Sequence, residues 1–214
     1  MSRSLKHDIP GVDRRVGEQD VRAKGWAAIF GGDADAARPL VVEIGFGRGE
    51  FLIDLALAAP ATPHVGVEYS TKRVLKMARR LARAGIANVR LLDCTGEVVV
   101  QELLAPASVQ DFWINFPDPW PKKRHHRRRL LQPALVHALA ERLAPGGSLN
   151  VATDHEGYAE AIDAALGAEP LLENAYAPAP FLRDVPGRRA TAYEIEWRAE
   201  GRPMHFWRYR RRAS

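Results

Sequence analysis

The sequence predicts a doubly wound α/β domain, with a mostly parallel sheet, helices on both faces and an antiparallel C-terminal hairpin. Three observations carry this. Short apolar runs alternate with helix-period stripes from residue 40 to about residue 166. A glycine-rich turn joins the first run to the first stripe. Beyond residue 190 the pattern changes to apolar–polar alternation about a turn.

Leu40–Ile44 is a buried-strand run, ended by Gly45-Phe-Gly-Arg-Gly49 and followed by the helical Glu50–Ala59. His64–Glu68 reads as a second strand. Thr71–Ala84 has apolar residues at 74, 75, 78, 81 and 82, the stripe of an amphipathic helix, with Lys and Arg elsewhere. Asn88–Leu92 is a third strand, Gly96–Leu104 a short helix and Asp111–Phe116 a fourth strand. Gln132-Pro133 has the form of an N-cap and first helical residue. The helix then runs through Leu135, Val136, Leu139, Ala140 and Leu143, and Pro145-Gly146-Gly147 stops it. Ser148–Ala152 is a fifth strand and His155–Leu166 a further helix. Thr191–Trp197 and Met204–Arg210 alternate around Glu200-Gly-Arg-Pro203 and are expected to be the arms of the hairpin. Residues 1–25 show no sustained periodicity and are expected to form a loose basic arm, leaving 26–214 as a single domain.

A chain of 214 residues with 46% hydrophobic content can bury a real core as one domain. Its single cysteine, Cys94, excludes an internal disulfide framework and fits a reducing, cytoplasmic setting. No apolar leader-like region opens the chain and no run approaches a membrane span, so no membrane partner is expected. The net charge of +5 is clustered at 122–129, 72–83 and 208–212, a distribution that favours an anionic partner. The sequence is equally compatible with a monomer and a homodimer.

The most informative stretch is Asn115-Phe-Pro-Asp-Pro-Trp-Pro-Lys-Lys-Arg-His-His-Arg-Arg-Arg129. Proline fixes φ, so Asp118, held between Pro117 and Pro119, sits on a turn with few conformations to lose. The basic residues that follow suit a polyanion gripped by its phosphates rather than read by its bases, with Lys122, Lys123, Arg124, His125 and Arg128 as expected substrate contacts. His125 and His126 are adjacent, which makes a poor chelate, and no Cys or His partner lies nearby; no metal is expected.

In a doubly wound sheet, ligands bind outside the carboxyl ends of the strands near the topological switch. The glycines at 45, 47 and 49 let a ligand approach the main chain there. Their spacing is G-x-G-x-G, not the G-x-G-x-x-G that cradles a dinucleotide pyrophosphate. Glu43, two residues ahead, would repel a pyrophosphate but suits a cofactor bearing an ammonium and a sulfonium, which points to S-adenosyl-L-methionine, with S-adenosyl-L-homocysteine as product. Glu68 is placed to accept from ribose hydroxyls, and Asp93 to Gly96 would lie near the adenine.

These residues resemble the bacterial tRNA (guanine-N7)-methyltransferases from about Trp26 onward. The resemblance rests on Glu43-Ile-Gly-Phe-Gly-Arg-Gly49, Gly66-Val-Glu68, Asn115–His125, Arg128-Arg129, Gly146-Gly147 with Thr153-Asp154, and Thr191-Ala-Tyr-Glu194. It implies a Rossmann-like class I methyltransferase sheet, cofactor contacts by Glu43, Gly45, Gly47, Glu68 and Asp118, and Asp118 as the active-site carboxylate. It further implies substrate contacts by Lys122, Asp154, Thr191, Tyr193 and Glu194, and a guanine of the tRNA variable loop as target. Where the family has Asp or Asn after the third strand this chain has Thr95, so either Thr95 or Asp93 serves the adenine side.

Such chemistry suits the residues present. Guanine N7 carries an in-plane lone pair and no proton, so no general base is needed, and no Ser-His-Asp or Cys-His constellation is evident. Two other classes use parts of the same pattern: a nicotinamide-dependent oxidoreductase, disfavoured by the glycine spacing and Glu43, and a non-catalytic RNA-binding module using the basic run.

Overall fold

The computed structural model describes residues 8–32 and 39–213. Seven strands form one sheet: β1 (Leu40–Ile44), β2 (His64–Val67), β3 (Val89–Leu92), β4 (Val109–Asn115), β5 (Leu143–Thr153), β6 (Leu172–Asn174) and β7 (His205–Arg211), in the order β3-β2-β1-β4-β5-β7-β6. β1 to β5 pair in parallel, while β7 runs antiparallel to both β5 and β6. The mostly parallel, doubly wound sheet is therefore as expected.

Helices α1 (Glu18–Ile29), α2 (Glu50–Ala58), α3 (Thr71–Ala84), α4 (Gly96–Val98, continuing as a π-helical turn over Val99–Leu103), α5 (Pro133–Arg142), α6 (Glu156–Gly167) and α7 (Ala192–Ala199) complete the fold. One apolar cluster joins Leu52 of α2, Met77 and Leu81 of α3 and Leu91 of β3. The larger one joins Val42, Ile44, Leu92, Phe112 and Ile114 to Leu139, Tyr158 and Ile162. Leu91 and Leu92 fall in different clusters because adjacent strand residues face opposite sides of the sheet. Gly66 is where β2 meets α2: a Cβ there would lie 2.4 Å from Leu52 Cδ2, so a side chain would force the helix away.

Two expectations are corrected. The first arm of the hairpin, Thr191–Trp197, is not a strand: it is the start of α7, and β7 takes its antiparallel partners from β5 and the short β6, which the sequence reading left out. The helix wins because Thr191 Oγ1 accepts from the Glu194 backbone N–H at 3.0 Å, a Thr-x-x-Glu capping arrangement that outweighs a seven-residue alternation. Nor is the arm loose where it is described (residues 1–7 lie outside the described residues). Val16 N–H donates to Leu91 O and Leu91 N–H donates to Arg14 O, both at 2.9 Å, so residues 14–16 cover the edge of β3. α1 then docks through Trp26 Nε1, which donates to Leu103 O at 2.8 Å.

Candidate active site

The strand order reverses between β1 and β4, and the candidate residues gather at the carboxyl ends of the strands around that point. Glu43 is 2% exposed, between Gly66 of β2 and Trp113 of β4 in register. Its Oε1 accepts from Asn115 Nδ2 at 3.3 Å, while its buried Oε2 has no hydrogen-bond partner among the described residues. Burial pushes the carboxyl up to about 8, against the opposing pull of Asn115 and Arg188. Without a cation beside it Glu43 keeps its proton at neutral pH; with one it becomes a buried anion.

A chain of polar contacts runs outward from Glu43. Asn115 Oδ1 accepts from Arg188 Nη2 at 2.6 Å, which turns the amide nitrogen toward Glu43. Arg188 is itself largely buried, lies over the Phe206 ring at 4.6 Å and donates through Nη1 to Glu194. The other oxygen of Glu194 accepts from Arg198 Nε at 3.0 Å. Five side chains thus tie the end of β1 to α7.

The glycine turn sits beside Glu43. Gly45, Gly47 and Gly49 all adopt positive φ, +77°, +54° and +80°. A Cβ on Gly45 would meet nothing within 4 Å, so the main chain there borders open space. Glu68, 2% exposed, braces the turn: Oε2 accepts from Gly47 N–H at 3.1 Å and Oε1 from Ser70 N–H at 3.0 Å. A carboxylate offers about four acceptor sites, so Glu68 retains capacity for a ligand hydroxyl.

Asp118 lies on the loop after β4, beside the strand that carries Glu43. Phe116 and Trp120 on either side hold φ of +51° and +43°, conformations that cost a non-glycine residue free energy. Three contacts hold the loop. Phe116 N–H donates to Ala152 O at 2.8 Å. The buried Arg129 donates to Pro119 O and to Gly157 O, both at 2.9 Å, with its guanidinium over Tyr158. The Asp118 side chain itself is exposed and makes no hydrogen bond or ion pair among the described residues. A strained, pinned loop thus presents an unengaged carboxylate at the rim of the sheet.

Lys123–Arg128 forms a 3₁₀ turn beyond that loop. Lys122, Lys123, Arg124 and Arg128 are exposed; His125 is half-buried, edge-on to Trp120 at 5.8 Å, and Arg128 stacks over Trp120 at 5.1 Å. The indole thereby orients part of the cationic surface. Among the described residues no three His, Cys, Asp or Glu side chains gather as a metal site.

The third wall is α7. Tyr193 packs at 5.0 Å from Phe116, and its hydroxyl donates to Asp154 Oδ2 at 3.5 Å. Asp154 also accepts from Arg202 Nη1 at 2.9 Å. Tyr193 and Asp154 therefore stand near the Asp118 loop, whereas Glu194 is turned inward, 3% exposed, between Arg188 and Arg198. Thr191 is occupied as the cap of α7. Thr95 caps α4, accepting from Val98 N–H at 3.5 Å, and it and Asp93 are both exposed at the end of β3. Asn115 and Arg129 lie in stretches that the sequence reading quoted without giving them a role, and Arg188 and Arg202 it did not single out; all four are structural members of the site. No periodicity marks them, since each makes at least one of its contacts across 28 or more residues of chain.

Residues 37–207 match the family model described as a putative methyltransferase. A tRNA (guanine-N(7)-)-methyltransferase of Halorhodospira halophila is 40% identical over 176 residues, 82% of this chain and 76% of that protein. One from Bordetella parapertussis is 48% identical over 160 residues, 73% of this chain and 61% of that protein. One from Nocardia farcinica is 45% identical over 163 residues, 76% of this chain and 58% of that protein. The chain thus spans about three fifths of the length of the latter two relatives. Among solved structures, the 16S rRNA methyltransferase KamB superposes with a TM-score of 0.60 at 15% identity, covering 91% of this chain and 92% of that one. A putative methyltransferase from Streptococcus mutans in complex with SAH gives 0.52 at 14%, covering 81% and 89%. At these identities the solved structures establish the fold: a methyltransferase sheet with an antiparallel C-terminal strand. The family model spans the stretch that carries the glycine turn and the Asp118 loop, and the sequence relatives decide the rest: the chain belongs to the tRNA (guanine-N(7)-)-methyltransferase family.

Proposed function

We propose that this chain transfers a methyl group from S-adenosyl-L-methionine to N7 of a guanine in the tRNA variable loop, in the cytoplasm. The observation that carries the reading is Glu43: a buried carboxylate with one oxygen that has no hydrogen-bond partner among the described residues, beside a glycine turn whose main chain borders open space. Such an oxygen fits a ligand ammonium, which would supply both the missing hydrogen bond and the countercharge. Glu68, already fixed by Gly47 and Ser70, is suited to ribose hydroxyls. The relatives' names supply the base and atom, and the Streptococcus mutans neighbour holds the demethylated product of the donor.

When bound, S-adenosyl-L-methionine supplies a methyl group activated by a sulfonium. This chain's residues hold and orient the reactants, because guanine N7 needs no base to expose its lone pair; most of the rate enhancement is positional. A carboxylate on the guanine side helps the chemical step because it stabilises the charge that the purine acquires more than the charge the donor gives up. Asp118 is assigned that role, accepting from the N–H edge of the base. The exposed cations from Lys122 to Arg128 hold the RNA backbone, and Tyr193 and Asp154 line the opposite side.

The test is methyl transfer to unmodified tRNA followed by borohydride–aniline cleavage, which cuts at N7-methylguanosine. Cleavage at a variable-loop guanine supports the reading; a chain that fails to bind S-adenosyl-L-homocysteine, or methylates without that cleavage, overturns it.

A further inference from the structure

A second cationic surface, apart from the Lys122–Arg128 turn, runs along α3. Over Thr71–Ala84 the helix buries Val74, Leu75, Met77, Ala78 and Leu81 and carries six Lys or Arg with no acidic residue. Two of the cations are locally neutralised: Arg73 pairs with Glu68 at 3.4 Å and Arg80 with Glu50 at 3.3 Å. Arg79 donates to Asp8 O at 3.0 Å. Lys72, Lys76 and Arg83 are exposed and make no ion pair or hydrogen bond among the described residues. At 3.6 residues per turn these three lie within about 40° of one another, in a stripe roughly 16 Å long.

Local energetics oppose this arrangement. Cations in the first turn face the positive end of the helix dipole, and α3 has no acidic residue there. Like charges four apart repel. The same chain solves the problem elsewhere in the ordinary way: α1 pairs Glu18 with Arg22 and Asp20 with Lys24 at i,i+4. A merely solvated face needs no exception to that pattern.

The position is as informative as the charge. α3 starts three residues after Glu68, at the same rim as the glycine turn, and leads away from it along the β3 side of the sheet. The Lys122–Arg128 turn follows β4, on the other side of β1. The two cationic surfaces therefore bracket the Glu43 site, and an anion touching both must be far larger than one nucleotide.

We infer that the Lys72–Lys76–Arg83 stripe is a second backbone-phosphate surface, which takes a double-helical arm of the RNA remote from the guanine being methylated. This rests on the function proposed above. It is tested with K72Q/K76Q/R83Q, three exposed substitutions whose folding is checked by thermal melting. For full-length unmodified tRNA, the slope of log K against log salt should become less steep by about 2 to 3, close to 0.9 per lost contact. Binding of S-adenosyl-L-homocysteine, and of a short hairpin carrying only the target loop, should be unchanged. A variant with the wild-type salt slope on full-length tRNA overturns the inference, as does an equal loss on the hairpin, which would put the stripe at the target loop. A wild-type chain that neither binds nor methylates tRNA overturns the functional reading instead, so the two failures are distinct.

Discussion

Glu43→Gln tests the donor site through stability as well as binding. Glu43 is 2% exposed, holds one hydrogen bond, and has its carboxyl raised from the ordinary 4.5 to about 8 by burial. The folded chain therefore binds a proton that the unfolded chain releases above about 4.5. Stability from this group is fully present below 4.5, falls as pH rises, and levels off above about 8. At pH 7 the ligand-free protein has crossed about 2.5 pH units of that window, a loss of about 3 kcal/mol at 1.36 kcal/mol per unit. Gln keeps the shape and the Asn115 hydrogen bond and removes the titration. The variant should melt roughly 6–12 °C above the wild type at pH 7, and should match it near pH 4.5. The same change should abolish binding of S-adenosyl-L-homocysteine, because a neutral amide cannot balance an ammonium. For the wild type, calorimetry at pH 7 in buffers of different ionisation enthalpy should find about 0.9 proton released per ligand bound, the fraction that a group of pKa about 8 holds there. A variant that is no more stable than wild type at pH 7 and still binds the ligand tightly would refute the reasoning.

The remaining predictions concern the other walls of the site. Asp118→Asn should lower kcat by about 10²-fold with cofactor affinity nearly unchanged, since the carboxylate serves the developing charge on guanine; collapse of cofactor binding with intact single-turnover chemistry would remove that role. Arg188→Gln should weaken S-adenosyl-L-homocysteine binding about tenfold by freeing the Asn115 amide to turn. Asn115→Leu should do the same, and the double variant should be little worse than either, because both act on Glu43; additive losses in a mutant cycle would break the link. Replacing Lys123, Arg127 and Arg128 together should weaken tRNA binding and flatten its salt dependence with cofactor binding intact, and an unchanged slope in filter binding would exclude the patch.

The legibility of the chain follows the range of the interactions. α3 was readable to its last residue because its apolar stripe at 74, 75, 78, 81 and 82 is a local pattern. The Thr191–Trp197 segment was misread because seven residues fit both a two-residue and a helical period. The deciding signal, Thr191 with Glu194 three residues on, was present in the sequence and outranked the alternation. β6 has three residues and exists because the antiparallel β7 needs an outer partner, which no local pattern announces.

The sequence by itself determined the alternating architecture, the glycine turn, the acidic ends of the first two strands and the proline-flanked Asp118. These are properties of neighbouring residues, dictated by backbone sterics and hydrophobic period. Tertiary structure alone decided which carboxylates are free to act. Among the described residues, it buried Glu43 and left one oxygen unpartnered, spent Glu194 on Arg188 and Arg198, and pinned the Asp118 loop with Arg129 while leaving Asp118 unengaged. Burial and long-range partners set the charge state and availability of an ionisable group, and both are assembled only when distant segments meet.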